Sequence, residues 1–202
     1  MQQMQTSYRA RFLWRNLSTS YSRANRGFTI VELMVVVLIV AILAALALPS
    51  FNPIIERWRV QQALKGLESS IYYARAEAIK RASTVSIRKN PTGTDGCTLA
   101  PGNADWDCGW FVFVDTNSNG VFDAGEEVLQ RFTAPRNTQV TRTANSASMQ
   151  FDRWGRITGP FVGFSLVPHN KNISDLAARG LCVSSGGRIR TIKSEELPCT
   201  AG

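Results

Sequence analysis

The chain has 202 residues, enough for one ordinary domain with appendages and too few for several. Hydrophobic residues at 44% and aromatics at 9% are globular values, which exclude a chain disordered throughout. The formal charge of +8 misleads if taken whole, because Arg9, Arg11, Arg15, Arg23 and Arg26 crowd the first 27 residues with no acidic residue among them. That polar, arginine-rich start is of the kind the positive-inside rule keeps cytoplasmic.

Next comes Arg26-Gly27-Phe28-Thr29-Ile30-Val31-Glu32, and then an almost wholly apolar run from Leu33 to Leu48 that Pro49 stops. A run of roughly 20 apolar residues is long enough to cross a bilayer as a helix. Glu32 does not fit that simple picture, since an ionised carboxylate in the run costs on the order of 2.5 to 3.5 kcal/mol even on the lenient insertion scale. It needs a cationic partner, and cleavage between Gly27 and Phe28 would make one by creating an α-amine nearby. Ala45-Leu46-Ala47 also matches the small-x-small pattern ahead of an ordinary signal-peptide cut. Glu32 argues against that alternative, because such a segment has no use for a carboxylate. Gly27 to Leu33, the apolar run and Pro49 together resemble the class III signal of type IV pilins and type II secretion pseudopilins. The resemblance implies that a prepilin peptidase cuts after Gly27 and methylates Phe28. It further implies that Glu32 pairs with a neighbouring subunit's terminus during assembly.

After Pro49 and Pro53, Val60, Leu64, Leu67, Ile71, Ala74 and Ala78 recur at steps of four and three, one stripe of a helix. Arg57, Lys65, Glu68, Arg75 and Lys80 take the opposite face. Phe28 to about Arg81 is therefore expected to form one long, gently kinked helix, whose second half docks a head. Ala74 to Arg81 followed by the strand-like Thr84 to Lys89 resembles the FimT/GspH group of minor pilins and pseudopilins. The fold class this implies is α+β, a pilin fold with a long N-terminal α-helix packed against small antiparallel β-sheets. Runs rich in β-branched and aromatic residues predict further strands over 109–115, 127–133, 139–143, 148–152, 162–167, 180–184 and 188–193. Asn119-Gly120, Trp154-Gly155 and Gly186-Gly187 are turn signals between them. The expected organisation is a leader over 1–27, a transmembrane or filament-core half-helix over 28–53, and a head over 54–202.

All four cysteines follow the apolar segment, and an exported head sits in an oxidising compartment, so two disulfides are expected. Three connectivities are possible; local pairing, Cys97 with Cys108 and Cys182 with Cys199, is the expectation. Asp115, Asn117, Asn119, Gly120, Asp123 and Glu126 satisfy an EF-hand loop pattern with oxygen ligands at calcium spacing. Strands rather than helices flank it, and Asp, Asn and Gly also build hairpin loops, so calcium stays an open possibility and no other cofactor is expected. His169 reads as a surface loop residue, and no nucleophile-base pair points to catalysis. Trp106, Trp110 and Trp154 fit core or rim packing better than a stacking platform.

From Phe28 to Gln150 the basic and acidic residues balance, so the remaining excess falls in the last third of the chain. There Gly187-Arg188-Ile189-Arg190 stands out: on a strand, residues two apart share a face, and arginine forks pair with phosphate. The element resembles the DNA-binding loop of FimT-type minor pilins, with Gly187, Arg188 and Arg190 at the motif positions. Lys193, Arg179 and Lys171 are candidate helpers. A solvated strand edge is the competing explanation, since arginines there discourage aggregation. The resemblance implies a minor pilin, held as a single pass in the inner membrane with its head in the periplasm, and then assembled with other pilins on the cell surface. Non-specific DNA binding for natural transformation, priming of assembly, and a place in a type II secretion pseudopilus are the functions it leaves open.

Overall fold

Thr29 begins the first helix. Its Oγ1 accepts the Glu32 backbone N–H at 3.2 Å, the N-terminal arrangement that a Thr-x-x-Glu sequence favours, and helix α1 runs Ile30–Ala47. The computed structural model describes residues 27–47, 51–159 and 161–200. The arginine-rich leader over 1–26 and the stop at Pro49 lie outside them. Apart from Glu32 in its first turn, α1 is apolar on every side, and its side chains through Ala45 are exposed, as is Phe28 ahead of it. A helix of that kind belongs against lipid or other apolar helices rather than water. Among the described residues no helix is long and apolar enough to cross a membrane. The 18 residues of α1 span about 27 Å at 1.5 Å each, a little short of a hydrocarbon core of roughly 30 Å. The apolar run itself continues to Leu48, outside the described residues.

Helix α2 runs Asn52–Arg81, with a proline in its first turn where the missing N–H costs nothing. It ends on Ala82 in the left-handed region, with Lys80 and Arg81 in the last turn, where cations suit the helix dipole. The single helix expected from Phe28 to Arg81 is described as two, and residues 48–50 that would join them are not among the described ones. The chain divides into two compact units after Ala44.

Eight strands follow: β1 Val85–Lys89, β2 Trp110–Val114, β3 Val128–Phe132, β4 Thr138–Arg142, β5 Ser148–Phe151, β6 Val162–Pro168, β7 Arg179–Val183 and β8 Ile189–Lys193. They form two antiparallel four-stranded sheets, ordered β3-β2-β1-β5 and β4-β6-β7-β8. The fold is thus α+β, a helix packed against small antiparallel sheets. The predicted stripe on α2, from Val60 to Ala78, is buried throughout and shares one core with Ile87, Val112, Phe151, Phe164 and Leu181 from both sheets.

The centre of that core shows why a glycine and a serine interrupt the helix. Trp110 of β2 stacks on Phe132 of β3, centroids 4.3 Å apart. A Cβ on Gly66 would sit 2.2 Å from the Phe132 ring, so the helix needs a glycine there despite its roughly 1 kcal/mol propensity cost. One turn on, Ser70 Oγ accepts the buried Trp110 indole N–H at 2.9 Å and donates to the Gly66 carbonyl at 2.9 Å. Removing Ser70 Oγ strands a buried donor, which costs about 1 to 3 kcal/mol. Ser70→Ala should therefore lower stability by that amount in urea unfolding of the full chain, with the secondary structure unchanged by circular dichroism.

Candidate functional site

The β7–β8 hairpin ends in a tip built to hold its backbone still. Val183 pairs with Ile189 at its base. Beyond them Ser184 N–H donates to the Arg188 carbonyl at 3.0 Å, and Gly187 N–H to the Ser184 carbonyl at 2.8 Å. Ser184 Oγ accepts the Arg188 N–H at 3.2 Å. Gly187 adopts φ +80°, a region that costs other residues about 1 to 2 kcal/mol. A side chain there would also crowd its neighbours, because a Cβ would lie 2.9 Å from the Arg75 guanidinium and 3.1 Å from the Gly155 carbonyl. Arg75 of α2 donates from Nη1 to the Gly187 carbonyl at 3.0 Å. The glycine of the motif is therefore a backbone requirement of the tip.

Arg188 and Arg190 are exposed, while Ile189 between them packs against the main core. The pleat sends both arginines to one face, opposite Ile189. Arg190 lies across from Cys182 in register, and Cys182 is bonded to Cys199, Cα atoms 5.7 Å apart. Among the described residues no carboxylate pairs with either guanidinium. That leaves both forks available for an anion.

A second loop abuts this tip. Asp152 closes the turn after β5: its Oδ1 accepts the Trp154 and Arg156 backbone N–H groups at 2.9 Å each, and its Oδ2 accepts Arg156 Nε at 3.0 Å. Burial pushes the Asp152 carboxyl up, but those amide and guanidinium bonds outweigh it and hold it below its ordinary range. Ile157 N–H donates to the Ser185 carbonyl at 3.0 Å, stitching the two loops together around a small hollow. Trp106 and Trp110 are fully buried, whereas Trp154 is 67% exposed on this loop, with the Arg153 guanidinium 5.9 Å from its ring. Arg75 and Trp154 are absent from the motif; only the turn signal at Trp154-Gly155 marked the second loop.

The expected helpers do not join the tip. Arg179 and Lys193 pair at the opposite end of the hairpin, about 13 Å away at 3.3 Å per residue. Arg179 spends its Nη1 on the Leu176 and Ala178 carbonyls at 2.9 and 2.6 Å. Lys171 lies 3.5 Å from Asp175 and 4.0 Å from Glu56, so its charge is already shared.

The loop after β2 is a hairpin connection closed by its own bonds. Buried Asp115 accepts Ser86 Oγ at 2.6 Å, Gly120 N at 2.9 Å and Gln150 Nε2 at 3.1 Å on one oxygen, and Asn119 N at 3.0 Å on the other. Asn117 and Asn119 turn their amide nitrogens to Asp123, at 2.8 and 2.9 Å, and hold its carboxyl below the ordinary range. Glu126 takes the Thr116 and Asp123 N–H groups at 2.9 Å each. Phe122 lies edge-on to Phe111 and Phe113, 5.4 Å from each centroid, covering the outer face of the first sheet. Among the described residues no group of three or more His, Cys, Asp or Glu is placed to hold a metal. Cys97 is bonded to Cys108, Cα atoms 5.5 Å apart. His169 is exposed in a loop. At the other end of the chain, Gly27, Phe28 and Glu32 are exposed, and among the described residues no cation pairs with the Glu32 carboxylate.

Residues 63–187 match the family described as type II transport protein GspH, and residues 22–48 match the prokaryotic N-terminal methylation motif. The pilin-like protein PilA1 of Thermus thermophilus is 34% identical over 102 residues, 50% of this chain and 56% of that protein. The chain thus spans little more than half the length of that relative. A fimbrial protein of Moraxella nonliquefaciens is 29% identical over 146 residues, 61% of this chain and 88% of that protein. In fold, the type IV minor pilin FimU of Pseudomonas aeruginosa is similar at a TM-score of 0.52 and 23% identity, covering 71% of this chain and 95% of that one.

The tip's geometry makes a stability prediction. Gly187→Ala should cost at least the 1 to 2 kcal/mol or so of a left-handed alanine, because Arg75 must also move. Gly186→Ala, whose Cβ would meet only Ser184 Oγ at 3.9 Å, should leave the urea midpoint near that of the parent.

Proposed function

The chain belongs to the GspH family of minor pilins and pseudopilins, and from that membership we propose that it is a minor type IV pilin whose β7–β8 tip binds DNA for uptake in natural transformation. The observation that carries the DNA reading is the pair of exposed, unpaired arginines on one face of a rigid hairpin. Elsewhere in the head Arg81, Arg156 and Lys171 lie against carboxylates. An arginine pair left free is suited to phosphate, and phosphate contacts carry no sequence information. That suits uptake of arbitrary DNA.

The assembly role stands beside this one, supported by the exposed apolar surface of α1 and the methylation motif over residues 22–48. In this reading α1 holds the subunit in the inner membrane with its head in the periplasm, a prepilin peptidase cuts at Gly27, and the subunit then joins other pilins on the cell surface. The same features serve a subunit that primes assembly or a minor pseudopilin of type II secretion. DNA binding is what separates the proposal from both.

Two experiments test the two halves. Intact-mass analysis of protein from its host should give a chain that starts at N-methylated Phe28; a start near Leu48 would remove the pilin reading. Glu32→Ala should leave the head folded and impair incorporation into filaments. For DNA, roughly 2 to 4 phosphate contacts give a log-log salt slope of about −2 to −4 on duplex. Affinity should fall in the non-specific range, about 10⁻⁴ to 10⁻⁶ M. Arg188→Ala combined with Arg190→Ala should remove most binding while leaving the thermal midpoint in place, since both side chains are exposed. A double variant that binds as tightly as the parent at low salt would leave the structural role alone.

A further inference from the structure

Trp154 is a large apolar side chain held out into solvent by a turn with little freedom to retract it. The Asp152 carboxylate fixes the backbone on both sides of it, at Trp154 N and Arg156 N. Gly155 N–H closes the turn on the Asp152 carbonyl at 2.8 Å. The turn is also bound to the arginine-bearing tip, through the Ile157 to Ser185 hydrogen bond and through the Gly155 carbonyl packed against Gly187. An exposed aromatic ring flanked by Arg153, carried on a turn whose backbone is bonded to the tip that bears two free guanidinium groups, brings together the elements that single-strand binding surfaces use: cations follow the backbone and a ring takes a base.

We propose that Trp154 is a stacking platform for an unpaired base, so that the joined loops bind single-stranded DNA in preference to duplex. The inference rests on the reading of Arg188 and Arg190 as phosphate ligands and names the form of nucleic acid they hold. In a duplex every base is already stacked and paired, and its rim offers phosphate alone to this surface. An unpaired strand offers both groups. Arg153, over one side of the indole, adds a cation close to the stacked base. Arg156, by contrast, is committed to Asp152 at 3.0 Å and keeps the turn in shape.

The test uses the full chain in detergent micelles and fluorescence anisotropy with three labelled probes: a homothymidine strand, an abasic strand of equal length and charge, and a duplex. The parent should bind the homothymidine strand about 5- to 150-fold more tightly than the abasic one, the range that corresponds to about 1 to 3 kcal/mol of base-aromatic stacking. Trp154→Ala should reduce homothymidine binding to the abasic level and leave duplex binding as it was, and Trp154→Phe should restore most of the difference. If Trp154→Ala binds homothymidine as the parent does while Arg188→Ala with Arg190→Ala still loses it, the stacking inference falls and the phosphate reading survives. If the parent binds none of the three probes, both fall. A Trp154→Ala chain with unchanged oligonucleotide binding that fails to enter filaments assigns the indole to a neighbouring subunit and overturns the inference.

Discussion

The head depends on one apolar stripe. Val60, Leu64, Leu67, Ile71, Ala74 and Ala78 turn one side of α2 into the common floor of two sheets that otherwise have separate hydrogen-bond ladders. Small residues set how closely the strands approach: alanines at 63, 74 and 78, and glycine at 66 where Phe132 must fit. The polar side of the helix is also used. Arg81 bonds the buried Glu77 at 2.7 Å and Glu127 beside β3 at 2.6 Å, while Arg75 reaches the β7–β8 tip. Hydrogen bonds from Arg81, and then from Lys80, keep the Glu77 carboxyl below its ordinary range against the burial that raises it. A single helix therefore sets the position of both sheets and of the site.

The elements were legible in the sequence where the signal is local. Each predicted strand lies within two residues of an observed one at either end, because β-branched and aromatic runs bounded by Gly, Asn and Pro report the pleat directly. The stripe on α2 was legible for the same reason, its period being a property of neighbouring residues. What could not be read is long-range. Arg75 and Gly187 are 112 residues apart in sequence, and nothing in the local pattern of either marks the contact. Trp154 looked like Trp106 and Trp110, since composition alone does not tell a buried indole from an exposed one. The candidate helpers, Lys171, Lys193 and Arg179, show the same limit from the side of charge. Net charge counts Lys171 and Arg179 equally with Arg188, but the fold sets the first against carboxylates and the second against the Leu176 and Ala178 carbonyls.

In the loop after β2 one sequence pattern suits two chemistries. Asp, Asn and Gly at alternate positions are what calcium requires, and also what a tight connection between β2 and β3 requires to satisfy its backbone. Here the oxygens of Asp115 and Glu126 are engaged with N–H and O–H donors, and Phe122 supplies an apolar lid for Phe111 and Phe113.

The arginine pair gains from being on a strand and not on a mobile tail. Arg190 is fixed by pairing with Cys182, which the disulfide to Cys199 ties to the end of the chain. Arg188 is fixed by two bonds to Ser184, and the turn behind it by Arg75. Ordering a side chain on binding costs about 0.5 to 1.5 kcal/mol, and loop ordering adds to it. With the backbone ordered in advance, only the side-chain cost remains. For a surface with so few charges that difference is large compared with what each phosphate contact contributes. The disulfide, the left-handed glycine and the helix-borne arginine then act as one device: they fix the backbone that holds two exposed cations.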